Sequence, residues 1–385
     1  MKKILILMSD TGGGHRASAQ ALQAGFAEQF GESIQVEIVD MWINHTPFPL
    51  NQIPKSYSFL ATRTPRVWKF IWRRGENPRA AHMALEVATL YARKSVEQLF
   101  REQHPDLVIS VHPLFQDISL AVLAHMGWNV PFVTVITDLA SIHPTWFHRQ
   151  ANLCFVASPE AFERGVALGM RPEQLRLYGL PIRPVFAQPS RPQITLRQEL
   201  GMNPDLPAVL VVGGGEGMGL VGEIARSVAG ALAQEGRPQG QMVVICGRNQ
   251  KLMAELTVHN WPIPVRITGF VDNMPDWMGA CDCIVTKAGP GTIAEALVRG
   301  LPILLSGFIP GQEEGNVPYV VDNGAGAYSV DPAQIARIVA RWFGPERDQL
   351  AVMGKRAREM GNPQATLHIV EEVAQLMEQR SIKTG

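Results

Sequence analysis

The chain has 385 residues, with 35 lysines and arginines against 35 aspartates and glutamates, so whole-chain electrostatics predict no acidic partner. Its mean hydropathy of +0.01 and 46% apolar content are ordinary for a soluble α/β protein. No apolar run reaches the roughly 18 residues of a spanning helix, and a chain this long exceeds the roughly 250–300 residues at which single cores stop growing, so two domains are expected.

Met1-Lys2-Lys3 ahead of Ile4–Met8 is too short for a signal peptide and is ended by Ser9-Asp10; it reads as a first buried strand. Ser9-Asp10-Thr11-Gly12-Gly13-Gly14-His15 then leads into a helix over Ala17–Phe30. Further strands are predicted at Ile34–Val39, Asp106–Val111, Pro131–Thr137 and Leu153–Ala157. Near-continuous apolar strands separated by helices predict a parallel sheet covered on both faces, with ligands at the carboxyl ends of its strands. His15, His112, Asp138 and His143 fall on that rim.

Lys55–His82 breaks the alternation. It carries Lys55, Arg63, Arg66, Lys69, Arg73, Arg74 and Arg79 against Glu76, interleaved with Tyr57, Phe59, Trp68, Phe70 and Trp72. Two readings fit: a solvated basic helix with its aromatics turned inward, or a surface that meets anionic lipid. In the second, Trp68 and Trp72, four residues apart, enter the interface together. Nucleic acid is not expected, because the rest of the chain supplies no basic face.

Pro181, Pro184, Pro189 and Pro192 exclude helix or central strand and mark an interdomain linker. The domains are thus 1–180, a linker 181–193, and 194–365, with a terminal helix 366–385 that crosses back to the first domain. The second domain's strands are predicted at Ala208–Val212, Met242–Cys246, Val265–Thr268, Cys283–Thr286 and Leu301–Ser306, before an amphipathic helix Pro363–Gln379. Cys154, Cys246, Cys281 and Cys283 lack zinc-site spacing and lie in or beside apolar runs, so buried reduced thiols in a cytoplasmic protein are expected.

Two further glycine turns resemble the first: Gly213–Gly219, and Thr286–Ala296 with Gly289 and Gly291. Each follows a strand and precedes a helix, which suggests one ligand whose pyrophosphate is held by several helix N-termini. In the last turn a structural reading competes, with Thr292 as helix cap and Glu295 in the capping-box position. Gly217–Gly222 also matches G-x-G-x-x-G, and Gly12–Ala17 its alanine-ending variant, so a nicotinamide or flavin oxidoreductase is a rival. That rival needs an acid closing the second strand. The strand at Met242 closes in Cys246-Gly247-Arg248, whereas Asp40 closes the earlier one.

Asp10–Ala19 (DTGGGHRASA), Thr137–His148 (TDLASIHPTWFH), Tyr178–Pro184 (YGLPIRP), Gly213–Gly219 (GGGEGMG), Ile245–Asn249 (ICGRN), Thr286–Ala296 (TKAGPGTIAEA) and Pro310–Val321 (PGQEEGNVPYVV) together resemble the monogalactosyldiacylglycerol synthases. These are relatives of the processive diacylglycerol glucosyltransferases and of the peptidoglycan lipid-intermediate N-acetylglucosaminyltransferase. The resemblance runs from Ile4 to about Val373. It implies a GT-B fold, two Rossmann-like domains with parallel sheets facing across a cleft. It also implies inverting transfer of a sugar from UDP-galactose or UDP-glucose to the hydroxyl of diacylglycerol, with no cofactor beyond the UDP-sugar.

By matching motifs, Glu295 takes the ribose hydroxyls. Gly289, Pro290, Gly291 and Thr292 hold the pyrophosphate with Gly214, Gly215, Glu216 and Gly217, and Gly14 and Arg248 also face the donor. Phe270 and Val271 frame the uracil, and Gln312, Glu313 and Asn316 read the sugar. No D-x-D motif stands at a strand end, and helix N-termini can stabilise leaving UDP, so metal-independent transfer is expected. His15 suits the role of base, and Asp138 either orients it or is itself the base. His143 is either structural or, with Trp146 and Phe147, part of the acceptor pocket. Galactose and glucose both remain open as donors. An inert UDP-sugar-sensing or lipid-carrying module is the reading from another class, and His15, Glu295 and Gln312-Glu313 together argue against it. The chain lacks the transit peptide of the plastid members, so a bacterial enzyme is expected, peripheral on the inner face of the plasma membrane.

Overall fold

The computed structural model describes residues 1–11, 13–56, 64–215, 217, 219–234 and 237–384. Gly12, Glu216 and the part of the basic segment with Tyr57, Phe59 and Arg63 lie outside the described residues, as do the side chains of Arg79 and His82. Contacts divide the chain into two units, one of residues 1–184, 309–315 and 363–385, the other of 185–308 and 316–362.

The first unit is built on six parallel strands, β1 (Lys2–Met8), β2 (Ile34–Asp40), β3 (Leu107–Ser110), β4 (Phe132–Val135), β5 (Leu153–Val156) and β6 (Leu175–Leu177), in the order β2-β1-β3-β4-β5-β6. Side chains alternate across a strand, so an unbroken apolar run serves two apolar layers. Ile4, Ile6 and Met8 pack with Leu22 and Phe26 of the helix Gly14–Phe30 and with Ile369 and Val370 of the terminal helix Ala365–Thr384. Leu5 and Leu7 point the other way, into Trp42, Val96, Phe100 and Phe115. Gly25 lets the two helices touch, since a Cβ there would lie 2.9 Å from Thr366 Cγ2.

The second unit holds β7 (Ala208–Val212), a short antiparallel pair β8 (Ala233–Gln234) and β9 (Arg237–Pro238), then β10 (Gln241–Ile245), β11 (Val265–Thr268), β12 (Cys283–Thr286), β13 (Ile303–Leu305) and β14 (Gly326–Tyr328). Its parallel sheet runs β11-β10-β7-β12-β13-β14, the doubly wound order of nucleotide-binding folds. Buried Arg197 bonds the carbonyls of Ala280 and Pro204 and pairs with Asp282 at 2.6 Å. Asp282 also accepts the Ala208 N–H, which clips the helix Gln193–Glu199 to the place where β7 and β12 begin.

Two expectations need correction. The proline-rich stretch is not free of helix: Pro184–Ala187 forms a 3-10 turn that buries Phe186, because proline is tolerated in a first turn. The helix after β1 starts at Gly14, three residues earlier than predicted, with Gly13 at φ 81° as its N-cap. All four cysteines are buried and free, and burial pushes the thiols of Cys154, Cys281 and Cys283 up. Among the described residues no helix is long and apolar enough to cross a membrane.

Candidate active site

In the first unit the strand order reverses between β1 and β3, so the loops leaving those strands diverge and open a crevice at their carboxyl ends. His15 enters it from the first turn after β1. It is 7% exposed, and its Nδ1 lies 2.8 Å from Thr137 Oγ1, just past β4. Its ring lies 4.8 Å from that of His112, which in turn stacks on Phe115 at 4.4 Å. Burial pushes His15 down to about 4, only partly offset by a hydrogen bond to the Val111 backbone, so the ring is neutral at pH 7.

Asp138 is 5% exposed and accepts a 2.6 Å hydrogen bond from Trp146 Nε1. Burial pushes its carboxyl up to about 7; the Trp146 bond opposes this, the nearby charge of Glu313 adds to it, and a bond from Gln312 opposes it. Asp138 does not orient His15: the ring bonds to Thr137 and the Val111 backbone, the carboxyl to Trp146 and Gln312.

Trp146 was expected to line an acceptor pocket; it is instead fully buried among Ile136, Ile142, Val156 and Ala161, and its polar edge holds Asp138. Phe147 packs against the same cluster, where a Cβ on Gly165 would meet it at 2.8 Å. His143 is buried and caps a 3-10 turn, its Nδ1 lying 2.7 Å from Thr145 Oγ1.

The helix Pro65–Gly75 presents Arg66, Arg73 and Arg74 to solvent together with Val67, Phe70 and Ile71. Trp68 and Trp72 share a face, with centroids 6.0 Å apart, but that face is the inner one: Trp72 meets the His143 ring edge-on at 4.9 Å. This corrects the expectation that both indoles enter a lipid interface. Lys69 pairs with Glu314 at 2.9 Å. Glu313 is 4% exposed and accepts the Ile309 N–H at 2.9 Å.

In the second unit the reversal lies between β7 and β12, and both glycine turns leave from there. Gly214, Gly217 and Gly219 have φ of 73°, 58° and 88°, and a Cβ on Gly217 would lie 2.1 Å from Cys246 O, so the turn lies flat on the end of β10. Arg248 N–H donates to Gly215 O at 2.9 Å, while the exposed Arg248 guanidinium lies 4.9 Å over the exposed ring of Phe270, next to half-buried Val271.

The helix Pro290–Arg299 starts at Gly289 and no described side chain caps it. Thr292 is its third residue, so the capping-box reading of Thr292 and Glu295 is corrected. Pro290 moves the helix start forward, since it supplies the preset φ of a first position. The amides of Gly291 and Thr292 lie in that first turn, with Glu295 half-buried one turn on. Buried Asn316, expected to read a sugar, donates to Ala288 O at 2.9 Å and braces this turn.

The oxidoreductase rival loses its acid. Asp40 is buried, one carboxylate oxygen accepting the Asp10 N–H and the other the Ile43 N–H. Sequence reasoning missed Thr137, the Asp138–Trp146 bond and the Lys69–Glu314 pair; the last spans 245 positions and leaves no local signal.

Two parallel-sheet units, each with its chemistry-bearing residues beyond the strand ends, define a GT-B-type glycosyltransferase fold. The crystal structure of Acinetobacter baumannii MurG has that fold, with a TM-score of 0.62 at 16% identity over 97% of this chain and 99% of that one. A family profile described as monogalactosyldiacylglycerol (MGDG) synthase matches residues 15–182, and one for the glycosyltransferase family 28 C-terminal domain matches 208–338. The probable chloroplastic monogalactosyldiacylglycerol synthase of Nicotiana tabacum is 50% identical over 99% of this chain and 72% of its own length. Monogalactosyldiacylglycerol synthase 1 of Arabidopsis thaliana is 49% identical over the same shares. The chain belongs to the monogalactosyldiacylglycerol synthase family. The expected cytoplasmic location on the inner face of a plasma membrane is corrected by the same comparison, since these relatives are chloroplastic.

Proposed function

We propose that this chain transfers galactose from UDP-galactose to the free hydroxyl of 1,2-diacylglycerol, with inversion and without a metal. The observation that carries the substrate assignment is the 50% identity to synthases of that name over 99% of the chain. The amides of Gly291 and Thr292, with the dipole of their helix, hold the pyrophosphate beside Gly214, Gly215 and Gly217 and take up the charge that develops on leaving UDP. Glu295 receives the ribose hydroxyls, Phe270, Val271 and Arg248 flank the uracil, and Gln312 and Glu313 contact the sugar.

Asp138 is the base. As the lipid oxygen bonds to the anomeric carbon and the bond to UDP breaks, the hydroxyl proton passes to its carboxylate. A carboxyl that burial holds near neutrality is matched to that task. His15 is the second reading: burial keeps its ring neutral and able to accept a proton, and its Nδ1 lies 2.8 Å from Thr137 Oγ1.

The lipid is met through the outer face of the helix Pro65–Gly75 and the exposed stripe Met83, Val87, Leu90 and Tyr91 on the helix Pro78–Gln103. Nine of the nineteen exposed large apolar residues among the described ones fall within positions 43–91, a concentration that scattered surface apolar residues do not produce. Exposed Arg66, Arg73 and Arg74 suit anionic headgroups. The test is identification of the lipid formed from diacylglycerol vesicles and each UDP-sugar.

A further inference from the structure

The inner face of the helix Pro65–Gly75 grips a segment far away in sequence. Gly311, at φ 83°, lies so close beneath Trp72 that a Cβ there would come within 2.8 Å of the indole Cγ. Lys69 Nζ lies 3.0 Å from one carboxylate oxygen of Glu314 and 2.9 Å from the other, which holds that carboxyl below its usual range. From the opposite side, Gly315 N–H donates to Ser141 Oγ at 2.7 Å, three residues beyond Asp138. Between these anchors lie Gln312, which bonds Asp138, and Glu313, whose charge acts on it.

We propose that Trp72 and Lys69 are positioning residues, which hold the segment 309–315 over Asp138 and join it to the helix whose outer face meets the lipid. The inference rests on Asp138 being the base. Its physical content is shielding. With the segment in place Asp138 is sealed from water; with the segment released, water enters and the carboxyl falls back toward ordinary acidity. Lys69 and Glu314 are partly solvated, with side chains 31% and 46% exposed, so their pair contributes little to folding and its loss reads out at the site.

The test uses full-length protein on diacylglycerol vesicles containing phosphatidylglycerol, with kcat/KM measured from pH 5 to 9. Trp72→Ala is expected to lower kcat/KM about tenfold or more and to move the acid limb down by about one pH unit, with Trp72→Phe restoring most of both. Lys69→Met and Glu314→Gln are expected to be non-additive, the double variant matching either single one. An unmoved acid limb in a folded Trp72→Ala overturns the proposal. If that variant does not fold, additive effects of Lys69→Met and Glu314→Gln overturn it instead. Asp138→Asn, run in parallel, separates the two claims. Wild-type turnover in that variant refutes the base assignment; its inactivity, beside an unmoved limb in Trp72→Ala, refutes the positioning role alone.

Discussion

Trp146 and Asp138 act as one group: the indole N–H donates to the carboxylate at 2.6 Å, and the two side chains are 0% and 5% exposed. A buried carboxyl bonded by Trp146 and Gln312 is torn between desolvation, which favours its neutral form, and the hydrogen bonds, which favour its charge. Desolvation wins, and the group titrates near 7.

The pH profile follows from the sign of that shift. Only the carboxylate accepts a proton, and its fraction falls as pH drops through 7. The acid limb of kcat/KM is expected near pH 7, falling about tenfold per unit below it, and Asp138→Asn should lose roughly 10²–10⁴ in turnover. A rate that stays flat from pH 8 to 5 and falls only near 4 assigns the base to His15.

Trp146→Phe keeps the ring in its apolar cluster and removes the donor. The Trp146 bond lowers the carboxyl's proton affinity, so the acid limb should move up in pH, opposite to the shift expected on exposing Asp138. Losing a hydrogen bond to a charged group should cost about 1.5–3 kcal/mol when the carboxylate is ionised. A pH profile identical to wild type would show that the bond is structural only.

Donor binding is expected to depend on Glu295, half-buried one turn into the uncapped helix after β12. Glu295→Ala should weaken UDP by about 1–3 kcal/mol in calorimetry, roughly 5- to 150-fold, without a matching loss of thermal stability. Unchanged UDP affinity would remove Glu295 from the site.

Membrane docking separates into two contributions. Replacing Arg66, Arg73 and Arg74 by Gln should weaken cosedimentation with phosphatidylglycerol vesicles by about 1 kcal/mol per cation, a difference that added salt erases. Val87→Ser with Leu90→Ser should weaken binding at every salt concentration, since both side chains are more than half exposed and nothing in their burial stabilises the fold. Wild-type binding by both variants would place the docking surface elsewhere.

The inner strands of both sheets were legible because they are covered on two faces and therefore read as unbroken apolar runs; the edge strands β2 and β11, interrupted by Gln35, Glu37 and Arg266, carry a weaker pattern. β6 and β14 were not legible, as three residues with Arg176 at the centre of one and glycine at the start of the other carry no such signal. Residue types at the strand ends pointed to His15, Asp138 and the glycine turns, because chemistry-bearing side chains there have few structural reasons to be present. What sequence could not supply was facing. Trp146, Trp72 and Asn316 are ambiguous until their neighbours are known, and those neighbours come from strands and loops elsewhere in the chain. The start of the helix after β12 was misread for a local reason, Pro290 competing with Thr292 for the first turn.

The most direct measurement is the identity of the lipid product. Purified protein is incubated with vesicles of diacylglycerol and phosphatidylglycerol and either UDP-galactose or UDP-glucose, and the extracted lipid is analysed by mass spectrometry and by NMR of the anomeric proton. The expected result is monogalactosyldiacylglycerol with a β linkage, formed from UDP-galactose at an unchanged rate in the presence of EDTA. Absence of any galactolipid with folded, UDP-binding protein would contradict the assigned reaction, and abolition by EDTA would contradict transfer without a metal.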